Sequence, residues 1–363
     1  MEGAAAQRIR ECASDFIALQ TKLGALAQRA ARGKRRSGGV ARFLLDIDST
    51  SAGLAEELRT RRYQQGTGRA FWIWDPKPRQ IFALPFRDRV VQHLLIDQTL
   101  PSLERQLRAQ TYACRTGQGT HRALRRAADF HRTHTHVARV DVRKFFPSID
   151  HALLRRLLDR VTPPPWRWLR DRFLNAQYEG ERVCFHFPGD TLLTPMERPH
   201  GLPIGSLTSQ LWANLYLSPL DDLLASHLRI GSFVRYCDDI LIYHDDPGRL
   251  REALVQLELR AHRLRLRLHE GKTRLHRTSE PVPFVGFVLQ RRGSGVAVRL
   301  RHDNLVRMRQ RCKTLRALFA AGAIPPEELT QRLRAWLAHA RHGHTRALVA
   351  HELSRLSFAL AES

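Results

Sequence analysis

Phe233-Val234-Arg235-Tyr236-Cys237-Asp238-Asp239-Ile240-Leu241-Ile242-Tyr243 reads as a strand, a two-residue turn and a second strand. Paired acids between two apolar strands are poor strand formers and are disfavoured in a core. One reading is bland: Asp238-Asp239 marks a hairpin turn, a position that Asp favours. The other is chemical. Carboxylates so placed make sense when divalent cations neutralise them, and two such cations stabilise both the attacking and the leaving oxygen of an in-line displacement. Earlier in the chain, Val137-Ala138-Arg139-Val140-Asp141-Val142 is a further strand that delivers Asp141 at its end. A second acid delivered by a separate strand favours the chemical reading.

Composition points to the substrate class. The chain has 363 residues and 43% hydrophobic content, enough for one large multi-lobed unit or two ordinary domains. Lys and Arg number 60 against 35 acidic residues, a formal charge of +25. An excess of that size is the footprint of a protein that lies along a phosphate backbone and displaces its counterions. It argues against a small-molecule enzyme. Lys occurs only at Lys22, Lys34, Lys77, Lys144, Lys272 and Lys313. Each is informative, because Lys can give up a proton at working pH and Arg cannot. Cys12, Cys114, Cys184, Cys237 and Cys312 are scattered with no CxxC pair, as reduced thiols of a cytoplasmic protein are, with neither a disulfide framework nor a zinc site. The N-terminus has no charged-then-apolar signal pattern, and no apolar run approaches the roughly 20 residues a membrane helix needs.

Outward from the acids, three β-rich segments are expected at 137–148, 233–244 and 284–300, separated by helical runs and broken by Pro163-Pro164-Pro165. Residues 1 to 30 read as an amphipathic helix with Ile9, Phe16, Ile17, Leu19, Leu23 and Leu26 near helical spacing. The basic, Gly-rich Arg32–Gly39 is either a solvated linker or a loop that contacts a strand of nucleic acid. A short β segment, Ala70 to Leu84, carries Trp72, Trp74 and an Asp75-Pro76 turn. His131, His134 and His136 have no partner Cys or carboxylate at ligand spacing and read as a polar loop. The last sixty or so residues are helical, with Leu305, Met308, Leu315, Leu318, Leu329, Leu333 and Trp336 as core positions.

Tyr236-Cys237-Asp238-Asp239 resembles motif C of reverse transcriptases, and Asp141-Val142-Arg143-Lys144-Phe145-Phe146 resembles their motif A. The resemblance implies Asp141, Asp238 and Asp239 as catalytic acids holding two Mg²⁺ ions, with Mn²⁺ as a substitute and the Val142 carbonyl in the metal shell. Phe146 falls at the steric-gate position that favours dNTPs over rNTPs; Phe145 or Phe146 is alternatively a buried core ring. Gly201-Leu202-Pro203-Ile204-Gly205-Ser206-Leu207-Thr208-Ser209-Gln210 matches motif B. Lys77-Pro78-Arg79-Gln80-Ile81-Phe82-Ala83-Leu84-Pro85 and Arg87-Asp88-Arg89-Val90-Val91-Gln92 resemble the fingers segment, in which Lys77 and Arg79 grip the triphosphate; Asp88-Arg89 is equally readable as a helix-start salt bridge. Tyr112-Ala113-Cys114-Arg115-Thr116-Gly117-Gln118-Gly119-Thr120-His121 is similar to the next fingers motif, with Arg115, Gly117 and Gly119 on the template backbone. Gly271-Lys272-Thr273 matches motif D, which makes Lys272 the acid that protonates the departing pyrophosphate. Phe284-Val285-Gly286-Phe287-Val288-Leu289 with Val296-Ala297-Val298 is similar to the primer grip, a hairpin around Arg291–Gly295 with Gly286 against the nucleic acid.

The implied fold is α+β, a right-hand polymerase with fingers, a palm built on an antiparallel sheet, and a helical thumb. Its expected parts are an N-terminal helix and basic linker (1–39), fingers (40–135), palm (136–290, with a fingers-like insert at 160–200), and primer-grip end with thumb (291–363). Most reverse transcriptases carry Gln where this chain has Ile204 and Pro where it has Gln210. Ile-Gly-X-X-X-Ser-Gln is the variant associated with diversity-generating retroelements, and it puts Ile204, Gly205 and Gln210 beside the incoming dNTP. In that family the enzyme copies a template RNA into adenine-mutagenic cDNA (mutagenic retrohoming) and needs a small basic accessory protein that assembles as a helical pentamer. The alternative is a group II intron-like, retron or defence-associated enzyme. Cys237 and Arg143 depart from the commoner family residues.

Overall fold

Leu23, Leu26 and Ala27 of the first helix are buried, and so are Val90, Val91, Leu94 and Leu95 of a later one, each set recurring at helical spacing. Such stripes stay helical only by packing on one another. The computed structural model describes residues 2–35, 37–74, 78–176 and 180–356, with the backbone alone over 2–13. Lys77, the Asp75-Pro76 turn and the side chains of Ile9 and Cys12 lie outside the described residues. The chain forms two compact units: Met1–Arg108, Arg143–Leu220 and Arg260–Arg267 make the first, and Ala109–Val142, Asp221–Leu259 and Leu268–Ser363 the second.

In the first unit the helix Glu2–Ala30 packs on Ile47–Arg59 and Phe86–Gln106. The helix Leu207–Tyr216 packs on Phe86–Gln106 and on His151–Asp159. Asp150 caps the last of these, accepting the Leu153 amide at 2.9 Å. The Pro163–Pro165 break is a single tight turn, Pro164–Trp166, before the helix Arg167–Leu174. The β segment around Trp72 is an antiparallel hairpin of β1 (Arg69–Ile73) and β2 (Arg79–Ala83), in register from Arg69↔Ala83 to Ile73↔Arg79. Asp88 does stand at a helix start, but its partners are the Tyr63 hydroxyl at 2.7 Å and the Gly66 amide at 3.0 Å rather than Arg89, which lies over the Phe86 ring.

The second unit is built on β3 (His136–Val140), β4 (Phe233–Tyr236), β5 (Asp239–His244) and β6 (Arg274–Arg277), an antiparallel sheet in the order β4-β5-β3-β6. Near-continuous burial along β3 and β5 suits strands covered on both faces and paired on both edges. The helix Thr120–Thr133 lays Ala123, Leu124, Ala127 and Phe130 into the core these strands share with β7 (Val282–Phe284), β8 (Phe287–Arg292) and β9 (Gly295–Leu300). Helices His302–Ala320, Pro326–Ala340 and Arg346–Ser354 follow, with Leu305, Met308, Leu315 and Leu329 buried and Leu318, Leu333 and Trp336 partly so.

Three expectations change. The strand expected over 137–148 ends at Val140; Lys144 is left-handed and Phe145–Ser148 is a helical turn, as Pro147 has no amide for a ladder. The loop expected at Arg291–Gly295 shrinks to Gly293-Ser294, because Arg292 pairs with Gly295. The three histidines do not form a polar loop: His131 sits buried inside a helix, His134 ends that helix, and His136 opens β3. The His131 Nδ1 lies 3.0 Å from the Tyr243 hydroxyl, a contact invisible to local composition. Among the described residues, no helix is long and apolar enough to cross a membrane.

Candidate active site

Tyr236 pairs with Asp239, so Cys237 and Asp238 alone form the turn between β4 and β5. Tight hairpin turns ask for positive φ, and Cys237 supplies it at 54°. On β3, Val140 pairs with Ile240, so the same register sets Asp141 opposite Asp239 at the end of the ladder. Like charges directly opposite destabilise a sheet. The chain answers with two cations. Lys272 Nζ donates to both carboxylate oxygens of Asp141, at 2.8 and 2.9 Å. Arg139, two residues before Asp141 and so on the same face of β3, donates to the two oxygens of Asp239 at 3.1 and 3.4 Å. The Asp141 carbonyl accepts the His269 amide at 2.7 Å, and Val142 bridges Leu268, which ties the end of β3 to the segment that carries Lys272.

Burial and then the nearby Asp141 charge push the Asp238 carboxyl up to about 6. Asp239 is raised too, by burial first, with Arg139 opposing. Asp141 and Asp238 therefore sit in each other's field. The loop Tyr112–Thr120 lies along β4: the Tyr112 amide donates to the Arg235 carbonyl, and Gly119 closes back onto the Tyr112 carbonyl, both at 2.9 Å. Gly117 and Gly119 have φ of 71° and 116°, and Arg115 hydrogen-bonds the Thr111 carbonyl. Gly117 and Gly119, with Arg122, Arg125, His121 and His342, line a basic hollow of about 370 Å³ that Arg115 does not reach. Gly286 and Val285, φ 88° and 40°, make the tight turn between β7 and β8, and a side chain at 286 would press on His339.

The first unit gathers a separate set. Phe145 is buried and Phe146 half-buried, their rings edge-on at 5.5 Å, so the structure separates the core ring from the accessible one. The Phe146 carbonyl accepts the Leu202 amide at 2.9 Å, and the Ile149 carbonyl accepts Gly201 at 2.8 Å. Further along that loop the Ile204 carbonyl accepts the Phe82 amide of β2 at 2.8 Å. Gly205 has φ 107°, and a Cβ there would stand 2.8 Å from Ile81 Cγ2, so only glycine fits between loop and hairpin. Gln92, which ends the second fingers-like stretch, donates to the Ser206 hydroxyl at 2.8 Å and ties the loop to the helix Phe86–Gln106. Ile204 stays half-exposed, Gln210 lies exposed on the helix after the loop, and Arg79 is exposed at the start of β2, paired with Ile73.

A model of the reverse transcriptase (RNA-dependent DNA polymerase) family matches residues 75–289, more than half of the chain. The chain belongs to that family. A comparison with curated proteins found no match. The enzyme is an RNA-directed DNA polymerase, a nucleotidyltransferase, and the match implies the right-hand polymerase fold, in keeping with the mixed helices and antiparallel sheets. Template nucleic acid and dNTPs are its substrates, and reverse transcriptases in general use divalent metal ions.

The residues of this reverse transcriptase fit such ions. Asp141 and Asp238 are oxygen donors close enough to repel, the donor set that hard cations take, and the Lys272 ammonium on Asp141 shows that the spot draws positive charge. Asp239 is engaged by Arg139, and among the described residues no three acidic, His or Cys side chains form a ready cage. Sequence reading missed Arg139, Arg235 and Asp221; the available signal was an arginine inside each of two otherwise apolar strands.

Proposed function

We propose that this reverse transcriptase copies a template RNA into error-prone cDNA for a diversity-generating retroelement, with misincorporation concentrated opposite template adenines. The observation that carries the reading is Ile204: a half-exposed aliphatic side chain on a loop hydrogen-bonded to the fingers-like hairpin, at the place where the motif resemblance would put a glutamine amide. Ile204 packs on a sugar or base but cannot hydrogen-bond, so a mispositioned dNTP leaves no buried polar group unsatisfied and is rejected weakly. Phe146 is the ring that excludes a ribose 2′-hydroxyl, and Arg79 with Lys77 takes the triphosphate. Gly205 lets the loop backbone approach, and Gln210 faces the nascent pair.

Asp141, Asp238 and Asp239, with the Val142 carbonyl, would hold two Mg²⁺ or Mn²⁺ ions, Asp239 being oriented by its pair with Arg139. Bound there, the ions would supply charge stabilisation at the attacking 3′-hydroxyl and the leaving pyrophosphate. Lys272 gives its proton to that pyrophosphate. Arg115, Gly117, Gly119 and Gly286 lie on the template and primer backbones, and a small basic pentameric protein joins the complex.

Primer extension on an RNA template tests both levels. Asp238→Ala is expected to abolish product, and equal product would remove the acid from catalysis. Ile204→Gln is expected to lower errors opposite adenine by about tenfold, the scale of one mispaired polar group. An unchanged error spectrum would remove the retroelement reading and leave the polymerase intact.

A further inference from the structure

A guanidinium inside a sheet must be matched group for group, because an uncompensated buried charge is strongly destabilising. Arg235, in the middle of β4, is completely buried, and so is Asp221 beside it. The match is complete on one side: Nε donates to Asp221 Oδ1 at 2.7 Å and Nη2 to Oδ2 at 2.6 Å, a two-pronged pair. The Thr111 hydroxyl closes the arrangement, accepting from Nη2 at 3.1 Å and donating to Asp221 Oδ2 at 2.7 Å. The backbone of Arg235 is pinned as well, its amide donating to the Gln110 carbonyl at 2.8 Å and its carbonyl accepting the Tyr112 amide at 2.9 Å. An arginine held by so many partners is a fixed point.

The other terminal nitrogen serves a different task. Arg235 Nη1 reaches past Tyr236 and donates to the Cys237 carbonyl at 3.3 Å. That oxygen belongs to the peptide joining Cys237 to Asp238, in a turn where Cys237 holds a left-handed φ of 54° that a side chain adopts at a cost. A strained turn keeps one conformation only when its surroundings over-determine it.

We propose that Arg235 is a positioning residue for polymerisation: anchored by Asp221 and Thr111, it holds the Cys237–Asp238 peptide and so sets the direction in which the Asp238 carboxylate meets its metal ion. Lysine cannot replace it, since one ammonium cannot grip both oxygens of Asp221 and still reach the turn. The proposal rests on Asp238 being a metal-holding carboxylate, and the experiment separates the two ideas.

The full-length chain is compared as wild type, Arg235→Lys and Asp238→Ala. Turnover per active site is taken from the burst of primer extension on an RNA template, and Mn²⁺ affinity, without nucleotide or primer, from the signal of free Mn²⁺ in electron paramagnetic resonance. Arg235→Lys is expected to lower kcat per active site at least tenfold, leave the dNTP KM within threefold, and weaken Mn²⁺ binding at least fivefold. A purely structural role would instead shrink the burst and the melting temperature, with turnover and Mn²⁺ affinity of the folded fraction unchanged, and that result overturns the proposal. Should Arg235→Lys fail to fold, Thr111→Val removes one brace and leaves the ion pair. It is expected to reduce turnover per site two- to fivefold with weaker Mn²⁺ binding, and wild-type values of both overturn the proposal. If Asp238→Ala extends primers normally, the metal-holding reading of Asp238 is wrong and the proposal goes with it. If Asp238→Ala is inactive while Arg235→Lys behaves as wild type, the role of Arg235 alone is wrong.

Discussion

In the proposed mechanism position 272 carries a cation that releases a proton, in a chain whose basic residues are nearly all arginine. Lys272 fills that role while its ammonium lies on both oxygens of Asp141. Arginine would keep the ion pair and lose the proton, because its pKa stays above about 12. Lys272→Arg is therefore expected to lower kcat by about a hundredfold, the low end for a general acid, with the dNTP KM nearly unchanged. A single-turnover rate within threefold of wild type would assign Lys272 a purely electrostatic part. The acids at 141, 238 and 239 were legible from sequence because acids stand out in apolar strands. Their cationic partners were not: an arginine in an apolar strand signals only that it needs an acid, and which acid is settled by the fold, which brings Asp239 to Arg139 across 100 positions and Asp221 to Arg235 across 14.

Among the elements, the helix Thr120–Thr133 carries a built-in pH dependence. His131 is buried against Tyr243, and burial, with a smaller contribution from His276, lowers its pKa to about 4. The folded state thus resists a proton that the unfolded chain accepts near 6.5, so stability is complete above that pH and falls as pH drops from 6.5 toward 4. A tenfold difference in proton affinity between the folded and unfolded chain corresponds to about 1.4 kcal/mol, so between pH 7 and pH 5 the loss from this group is about 2 kcal/mol. Urea unfolding at the two pH values measures it. His131→Gln, which can still reach the Tyr243 hydroxyl, is expected to remove about that much of the difference; an identical difference in the variant would place the dependence elsewhere. Strands with strong apolar patterning were visible in advance, as were the hairpin at Trp72 and the helical C-terminal region. β6 was not, because Arg274-Leu275-His276-Arg277 is a charged strand at the edge of the sheet, paired with β3 alone among the described residues, and charge at an edge guards against unwanted pairing rather than signalling a strand.

For the molecule as a whole, the formal charge of +25 survives the internal pairing of its acids. Asp221, Asp239 and Asp190 are turned inward onto Arg235, Arg139 and the pair Arg198 and Arg265, and Glu352 onto Arg309. Each of these acids takes at least one arginine with it, so the pairs leave the positive excess of the rest of the chain almost unchanged. A polymerase must hold any sequence with equal grip, so its affinity has to come from phosphates rather than base edges. Counterion release then fixes the salt response: with about six phosphates neutralised, binding weakens roughly a thousandfold between 50 and 200 mM salt. Fluorescence anisotropy of a labelled RNA–DNA primer–template over that range is expected to show at least a hundredfold loss, the same for two unrelated template sequences. A loss under tenfold would mean that the surface charge does not meet the backbone. A strong difference between the two sequences would mean that base contacts, not phosphates, carry the grip.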